Sequence, residues 1–284
     1  MTTSSALLKI RHVTGFHYDG CAQSSYNEVR MTPPTLARQR VVHASIRVLP
    51  AAVQSTYRDY FDTIVTTFDL HESHEQLEVI AEATVETYAP PLTSGELTLG
   101  ELGGRRVSDT FAEYLAPTQR TKLASEVLVE VRSELHNTDD VVSIAHAAVD
   151  LVRRRVAYVR GATLVSSTAQ DVWDQRKGVC QDLSHVTIAV LRSLGIPARY
   201  VSGYLLARED AGVGETVYGE SHAWVEFFDG AWQGIDPTQG DVISLLHVVV
   251  AKGREYGDVA PLKGVYHGDP SSALGVVVEM TRVA

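Results

Sequence analysis

The sequence predicts an α+β fold, with a strand-rich N-terminal module followed by helices packed on an antiparallel sheet. Three patterns support this prediction. Up to about residue 90, apolar and polar residues alternate in short runs, which is typical of strands with one buried face. From about residue 122 the apolar residues recur at helical spacing, and after Pro197 alternating runs return around the turn dipeptide Asp229-Gly230.

The N-terminal module is expected to consist of several short strands. Alternation marks residues 8–14 and residues 74–88, and residues 41–50 form an apolar-rich run that ends in proline. The dipeptide Asp62-Thr63 lies between two further runs and predicts a hairpin. Strands at this close spacing predict a sandwich-like or barrel-like module.

Helices are expected next, each marked by helical apolar spacing or by a polar residue that caps its first turn. They are predicted at residues 122–135, 137–155, 168–177 and 180–194. Thr168 and Asp171 form a capping box at the start of the third helix, and Gly178 is expected to end it in the left-handed conformation. We place the boundary between a β-rich domain, residues 1–112, and an α+β domain, residues 113–284, where the pattern changes.

Composition excludes several classes of function. A formal net charge of −10 makes a nucleic-acid backbone a poor partner. No signal-peptide pattern opens the chain, and no apolar run is long enough to span a bilayer. The two cysteines, Cys21 and Cys180, are too few for a disulfide framework or a Cys-rich zinc site. We therefore expect a cytoplasmic protein with no nucleic-acid or membrane partner.

No motif indicates a metal or another cofactor. The cluster His71-Glu72-Ser73-His74 lacks the His-Glu-x-x-His spacing of a zinc protease, and it falls at a turn of the β-rich module. We expect no cofactor.

Cys180 is the candidate nucleophile because of its position at a predicted helix start. A thiolate is stabilised by the N-terminus of a helix and by nearby positive charge, and Arg176 and Lys177 come just before it. A free cysteine is also often a small buried apolar residue without reactivity, and this alternative stays open from position alone.

His222 and Asp236 are the candidate partners of this thiol. A two-residue turn at Asp229-Gly230 would place His222 roughly opposite Pro237, so that the imidazole and the carboxylate lie side by side at one end of a hairpin. A carboxylate there accepts from the imidazole N–H and fixes its tautomer. The alternatives are a structural histidine and an aspartate that only opens a turn before proline.

Three motifs in this order resemble the core of transglutaminase-like proteins, in the bacterial branch of that superfamily. They are carried by residues 178–204, 221–226 and 236–238, and the resemblance extends to the β-rich domain at residues 7–85 and to residues 251–264. Two departures lie outside the three motifs. Phe61-Asp62-Thr63 stands where we expect Phe-Gly-Asn, and Glu255 stands where we expect aspartate.

The resemblance implies a papain-like catalytic core with helices on an antiparallel sheet, and a triad of Cys180 as nucleophile, His222 as base and then acid, and Asp236 as orienter. It implies an amide-bond hydrolase, a cysteine protease or amidase, that acts on a peptide or protein through a thioester. The alternatives are a transglutaminase that transfers the acyl group to an amine, and a catalytically silent peptide-binding module. Peptide-processing partner proteins are compatible with this resemblance, and the oligomeric state stays open.

Further candidates surround the proposed triad. Trp173, Gln175 and Gln181 are candidates for a second oxyanion donor or for lining the site. Trp224 follows His222 by two residues, so it is expected on the same strand face, where it forms a wall of the site or part of the core. Packing or surface roles are equally open for these four residues. His185 is a rival base, but we expect a structural role because it is not one helical turn from the cysteine.

Overall fold

The structure is a computed structural model that describes residues 5–89, 97–135, 138–208, 210–219, 221–268 and 272–284. The strands in these residues are β1 (Ser5–Val29), β2 (Gln39–Leu49), β3 (Gln54–Arg58), β4 (Ile64–Leu70), β5 (His74–Tyr88), β6 (Ala157–Tyr158), β7 (Lys177–Gly178), β8 (Ala198–Leu205), β9 (Thr216–Gly219), β10 (Ser221–Phe228), β11 (Trp232–Asp236), β12 (Asp241–Val242), β13 (His247–Gly253), β14 (Leu262–Gly268) and β15 (Ser272–Arg282). The helices are α1 (Leu99–Leu102), α2 (Arg105–Thr110), α3 (Ala112–Leu115), α4 (Ser125–Leu135), α5 (Val141–Arg155), α6 (Ala169–Gln175), α7 (Cys180–Ser193) and α8 (Tyr256–Val259).

The long strand β1 organises the N-terminal sheet. Its first half pairs antiparallel with β5 and β15, and its second half pairs with β4 and β14. Strands β2 and β9 extend one path of this eight-stranded sheet, and β3 pairs with β4. Because the two halves of β1 have different neighbours, the sheet curls around a core that includes Tyr18, Phe68, Leu77 and Val79. The predicted β-rich, sandwich-like module is confirmed.

The N-terminal sheet also contains the end of the chain. Val29 of β1 is opposite Leu262 of β14, and Leu8 of β1 is opposite Arg282 of β15. These two C-terminal strands fall in the segment 113–284 that we assigned to the second domain. The domain boundary at residue 112 stays a prediction. The N-terminal sheet combines strands that precede this boundary with strands that follow it.

The second sheet is antiparallel, with the strand order β12-β11-β10-β8-β13. Helix α7 packs against β10 and β8. In its apolar core, Val186 and Val190 of the helix cluster with Val225 and Phe227 of the sheet. This arrangement confirms the predicted α+β class with helices on an antiparallel sheet.

Two local predictions differ from the structure. Arg176, not Gly178, adopts the left-handed conformation after α6, with φ 56°. Gly178 lies in β7, where an added Cβ would be 2.7 Å from the Cβ of Asp182, so glycine is required there by close packing. The hairpin between β10 and β11 has a turn of three residues, because Phe228 pairs with Trp232.

Side-chain hydrogen bonds join the two sheets. The amide of Gln39 accepts from the Val249 N–H and donates to the Val249 carbonyl, both at 2.8 Å, so it extends the edge of β13 like a strand. His12 of β1 bonds to the Tyr204 hydroxyl of β8 at 3.0 Å. These buried contacts fix the N-terminal module against the core. Within the described residues, every helix is too short or too polar to cross a bilayer.

Candidate active site

Cys180 is the first residue of α7, as predicted. Val179 precedes it in an extended conformation, and the Val179 carbonyl accepts from the N–H groups of Asp182 and Leu183 at 2.9 and 3.0 Å. The first N–H groups of a helix have no intrahelical partner, so those of Cys180 and Gln181 are left for another acceptor. The partly exposed thiol therefore lies at the positive end of the helix dipole.

The structure brings His222 and Asp236 together. The Nε2 atom of His222 lies 2.7 Å from Oδ2 of Asp236, and His222 and Cys180 line the same cleft. Because Nε2 is used by the carboxylate, Nδ1 is the ring nitrogen left for the thiol. The His222 side chain is 10% exposed and that of Asp236 is fully buried. All three predicted residues thus lie at one site.

The surroundings stabilise the positive charge of the His222 imidazolium and the negative charge of the Asp236 carboxylate. Burial opposes the charged imidazole, but hydrogen bonds to Asp236 and Cys180, and the charges of both, outweigh it and raise the pKa of His222 to about 9. Burial also raises the pKa of Asp236, but hydrogen bonds to His222 and His247 outweigh it and hold that pKa below its usual range. The pair is therefore an imidazolium and a carboxylate at neutral pH.

His247 is a second histidine on the same carboxylate, and the sequence analysis missed it. Its Nε2 atom lies 3.3 Å from Oδ2 of Asp236. The Ser244 N–H donates to its Nδ1 at 3.1 Å, so the proton of the neutral ring is on Nε2 and points to Asp236. Burial lowers the pKa of His247, which keeps the ring neutral. A lone histidine at the start of an apolar run carries no pattern that would reveal this contact.

Both oxygens of Asp236 are fixed. Oδ2 accepts from the two histidines, and Oδ1 accepts from the N–H of Thr238 at 2.8 Å and that of Gln239 at 3.4 Å. The Asp-Pro-Thr motif therefore forms a turn that donates back to its own aspartate. The Asp236 carboxylate is therefore held in a fixed position beside His222.

These three residues also match the donor set of a metal site. The ligand-type atoms of His222, Asp236 and His247 lie within 4.8 Å of one another. A metal bound at Nε2 of His247 would move the ring proton to Nδ1, where it would meet the Ser244 N–H. The hydrogen-bond pattern fits a fixed carboxylate better than a metal centre, and we assign no metal here.

Trp224 shares a strand face with His222, as expected. Their rings are stacked at 6.1 Å with an interplanar angle of 27°. Trp224 is fully buried with Val201 and Ile243, so it forms the wall behind the imidazole. A Cβ on Gly203, the residue opposite His222, would be 2.6 Å from the Trp224 ring, so this close packing requires glycine.

The other predicted residues lie at different distances from the reacting groups. Gln181 lines the cleft beside Cys180, but its amide donates to the Val165 carbonyl at 3.2 Å. Trp173 is 8% exposed in the core, with the Arg155 guanidinium 5.1 Å from its ring centroid. Gln175 is exposed on the last turn of α6. Neither Trp173 nor Gln175 is among the described residues that line the cleft.

His185 has a structural position, as expected. The ring is fully buried, and its Nε2 accepts from the Tyr256 N–H at 3.1 Å. Burial lowers the pKa of His185 to about 3, so the ring is neutral at physiological pH. A group of such low basicity is a poor general base. Its ring lies 5.0 Å from that of Tyr200.

Tyr200 and Ser202 line the same cleft as Cys180 and His222, and the sequence analysis did not single them out. Burial, and after it the neighbouring Cys180, raises the pKa of Tyr200 well above its usual range, which keeps its hydroxyl protonated as a donor. Alternate residues of β8 share a face, so a strand prediction could have grouped these two residues. Only the packing of β8 against α7 shows that this face meets the thiol.

Family profiles match both parts of the chain. Residues 129–237 match the transglutaminase-like superfamily, and residues 8–86 match the bacterial transglutaminase-like N-terminal region. The fold and the order of the motifs agree with these matches. The chain belongs to the transglutaminase-like superfamily.

Individual proteins resemble nearly the whole chain. An uncharacterized protein of Mycobacterium leprae is 41% identical over 277 residues, which cover 98% of this chain and 99% of the relative. An uncharacterized protein of Mycobacterium bovis is 30% identical over 304 residues, with coverage of 96% and 91%. A solved structure described as a proposed cysteine protease from Cytophaga hutchinsonii superimposes with a TM-score of 0.80 at 21% identity, covering 99% of this chain and 92% of that one. The structural likeness shows a shared fold.

Proposed function

We propose that this chain is a cysteine-dependent amide-bond hydrolase, a cysteine protease or amidase, with Cys180, His222 and Asp236 as its triad. The observation that carries the proposal is the 2.7 Å hydrogen bond between His222 and Asp236 beside a cysteine at a helix start. Membership of the transglutaminase-like superfamily supports the same assignment of roles.

In the acylation step, the Cys180 thiolate attacks the carbonyl carbon of an amide. A carbon–sulfur bond forms, and the carbonyl electron pair moves to oxygen, where the N–H groups of Cys180 and Gln181 stabilise the negative charge. The carbon–nitrogen bond then breaks while the His222 imidazolium gives its proton to the leaving amine. A thioester on Cys180 and a neutral imidazole result.

In the second step, neutral His222 removes a proton from water as the water oxygen adds to the thioester carbonyl. The carbon–sulfur bond breaks, the acid leaves, and the thiolate and imidazolium are restored. Asp236 holds the Nε2 proton of His222 through both steps, so the other ring nitrogen always faces the sulfur and the substrate.

Transfer of the acyl group to an amine is the alternative reaction of the same thioester. Water reaches a partly exposed Cys180 from the solvent side of the cleft, so hydrolysis needs no second binding site. Transamidation needs a site that binds an amine and excludes water. This difference favours hydrolysis.

The test offers peptide amides with and without a primary amine and follows the products and the acylated protein by mass spectrometry. We expect hydrolysis through an adduct on Cys180, and Cys180→Ala should abolish both, while Cys21→Ala, at the other free cysteine, should keep them. Amine incorporation above hydrolysis would make the protein a transamidase. A silent binding module would give no adduct, and its Cys180 would react with iodoacetamide no faster than a model thiol.

A further inference from the structure

The cleft around Cys180 is lined by uncharged side chains. Its volume is about 280 Å³, and besides Cys180 and His222 its described lining residues are Val165, Val179, Gln181, Tyr200, Ser202, Ser221, Ala223, Tyr256, Pro261 and Val276. Lysine, arginine, aspartate and glutamate make up 21% of the chain, yet none is among these described lining residues. Among the described lining residues, the only charges are therefore those of the reacting groups.

One wall of the cleft is an apolar loop held by the start of α7. Val165 is 56% exposed and its neighbour Leu164 is 74% exposed. The Thr163 hydroxyl donates to Asp182 at 2.6 Å, and the Gln181 amide donates to the Val165 carbonyl at 3.2 Å. These bonds hold the loop in place, so an exposed aliphatic side chain is fixed beside the nucleophile before any substrate binds.

The N-terminal sheet also contributes to the lining of the cleft. Val276 of β15 lines the cleft and is 41% exposed, although two residues further along Val278 is buried in the core. Its position is fixed by the pairing of Val276 with Thr14 of β1. The N-terminal sheet, through its C-terminal strand β15, therefore contributes to the surface that a substrate meets.

The uncharged lining of the cleft determines which substrate side chains bind there. Burying an aliphatic side chain stabilises a complex by about 0.8 kcal/mol for each methylene group. A charged side chain loses water in such a cleft, and among the described lining residues only the reacting groups Cys180 and His222 carry charge that could offset this loss. The acyl group stays bonded to Cys180 through both steps, whereas the amine leaves after the first, so the acyl side occupies the cleft longest.

We propose that the cleft lined by Val165 and Val276 selects acyl donors whose side chain next to the reacting carbonyl is uncharged and aliphatic. This specificity rests on the proposed function of Cys180. It also assigns a role to the N-terminal sheet, which contributes Val276 to the binding surface.

Peptidyl chloromethyl ketones test the specificity without amide turnover, because the thiolate displaces chloride and labels itself irreversibly. Probes that end in leucine, aspartate and lysine should differ in their rate of labelling of Cys180, measured by intact-protein mass spectrometry. We expect the leucine probe to react roughly tenfold faster or more than either charged probe. Equal rates, or a faster charged probe, would overturn the proposal.

Two variants assign any preference to the walls. Val165→Asp and Val276→Lys should each slow the leucine probe by roughly tenfold, and Val276→Lys should favour the aspartate probe. Both positions are exposed, so the fold should tolerate the changes. Val53→Lys, at a position 90% exposed between β2 and β3, is the matched control and should leave all rates unchanged. Unchanged probe rates in both wall variants would contradict the assignment.

The failure of this proposal differs from failure of the proposed function. If amides are hydrolysed but the probes react equally, the hydrolase assignment stands and the specificity is wrong. If the probes show the preference but no peptide amide is hydrolysed or transferred, the cleft specificity stands and the catalytic proposal fails. Iodoacetamide, which is small and neutral, reports in every variant whether Cys180 has kept its reactivity.

Discussion

Two pockets reach the Asp236 carboxylate from different sides, and they differ in whether charged side chains line them. The cleft reaches it through His222 and has no other charged side chain among its described lining residues. A second pocket of about 300 Å³, here called the rear pocket, reaches it through His247 and is lined also by Arg38, Glu226 and Lys252. One side of the carboxylate faces the proposed reacting groups, and the other faces permanent charges.

The rear pocket tolerates Glu226 and Lys252 because they are paired. Glu226 is 6% exposed and accepts from Arg199 at 2.7 Å, and its other oxygen lies 3.0 Å from Nζ of Lys252. Burial raises the pKa of Glu226, but the two cations outweigh it and lower the pKa overall. In the cleft, a comparable partner would compete with the thiolate and imidazolium. The difference indicates that fixed charge stabilises the fold at the rear and is kept away from the reacting groups.

The largest expected effect comes from Asp236→Asn, which removes the charge that both pockets share. We expect kcat/KM to fall by roughly 10³-fold or more, because the wrong tautomer of His222 is then favoured. In the native protein the pKa of His222 is raised to about 9, so the imidazolium persists as pH rises through neutrality and declines only near that value. In the variant it should lose its proton at lower pH.

Iodoacetamide reaction measured across pH checks this expectation. At neutral pH the native Cys180 should react faster than that of Asp236→Asn, because the His222 imidazolium beside it persists there. Asp69→Asn, at an exposed position, is the matched control and should behave like the native protein. Native-like rates in Asp236→Asn would mean that Asp236 does not maintain the imidazolium.

A smaller effect, on stability, is expected from Glu226→Gln in the rear pocket. Removing one member of a buried ion cluster should lower the free energy of unfolding by about 3 kcal/mol. The matched control Glu86→Gln removes the pair with Arg40, whose side chain is 60% exposed, and should change the free energy of unfolding far less. Urea unfolding measures both values.

The pH dependence of this loss has a definite sign. Because the pKa of Glu226 is lowered by folding, its contribution is present above the ordinary glutamate pKa and disappears as pH falls. The difference between native protein and Glu226→Gln should therefore shrink in acid. Alkylation of Cys180 should change by less than about twofold at neutral pH. A loss as large as that in Asp236→Asn would mean that the two pockets are coupled.

The parts of the site that lie close together in sequence could be predicted. The capping box of Thr168 and Asp171 is present, α7 begins at Cys180, and one hairpin brings His222 beside Asp236. These features depend on turn and cap chemistry within a few residues. The hairpin prediction was short by one residue in its turn, but the two side chains still meet.

The remaining parts depend on contacts between distant segments. His247 reaches Asp236 because β13 pairs with β8, and Val276 reaches the cleft because β15 returns to β1. An alternating apolar run shows that a strand exists, but it does not show which strand it will pair with or in which register. The rear pocket and one wall of the cleft were therefore missed for the same reason.

The smallest expected effect concerns His247, where the two pockets meet. His247→Leu removes one donor from Asp236, and because two backbone N–H groups and His222 remain, we expect kcat/KM to fall only about tenfold. His247→Gln can place an N–H where Nε2 was and should recover most of that loss. A purely structural role would lower stability in both variants without the recovery. If His247→Leu leaves kcat/KM unchanged, the rear pocket does not contribute to the orientation of Asp236. The rear pocket would then affect only the stability of the fold, although it shares the Asp236 carboxylate with the cleft.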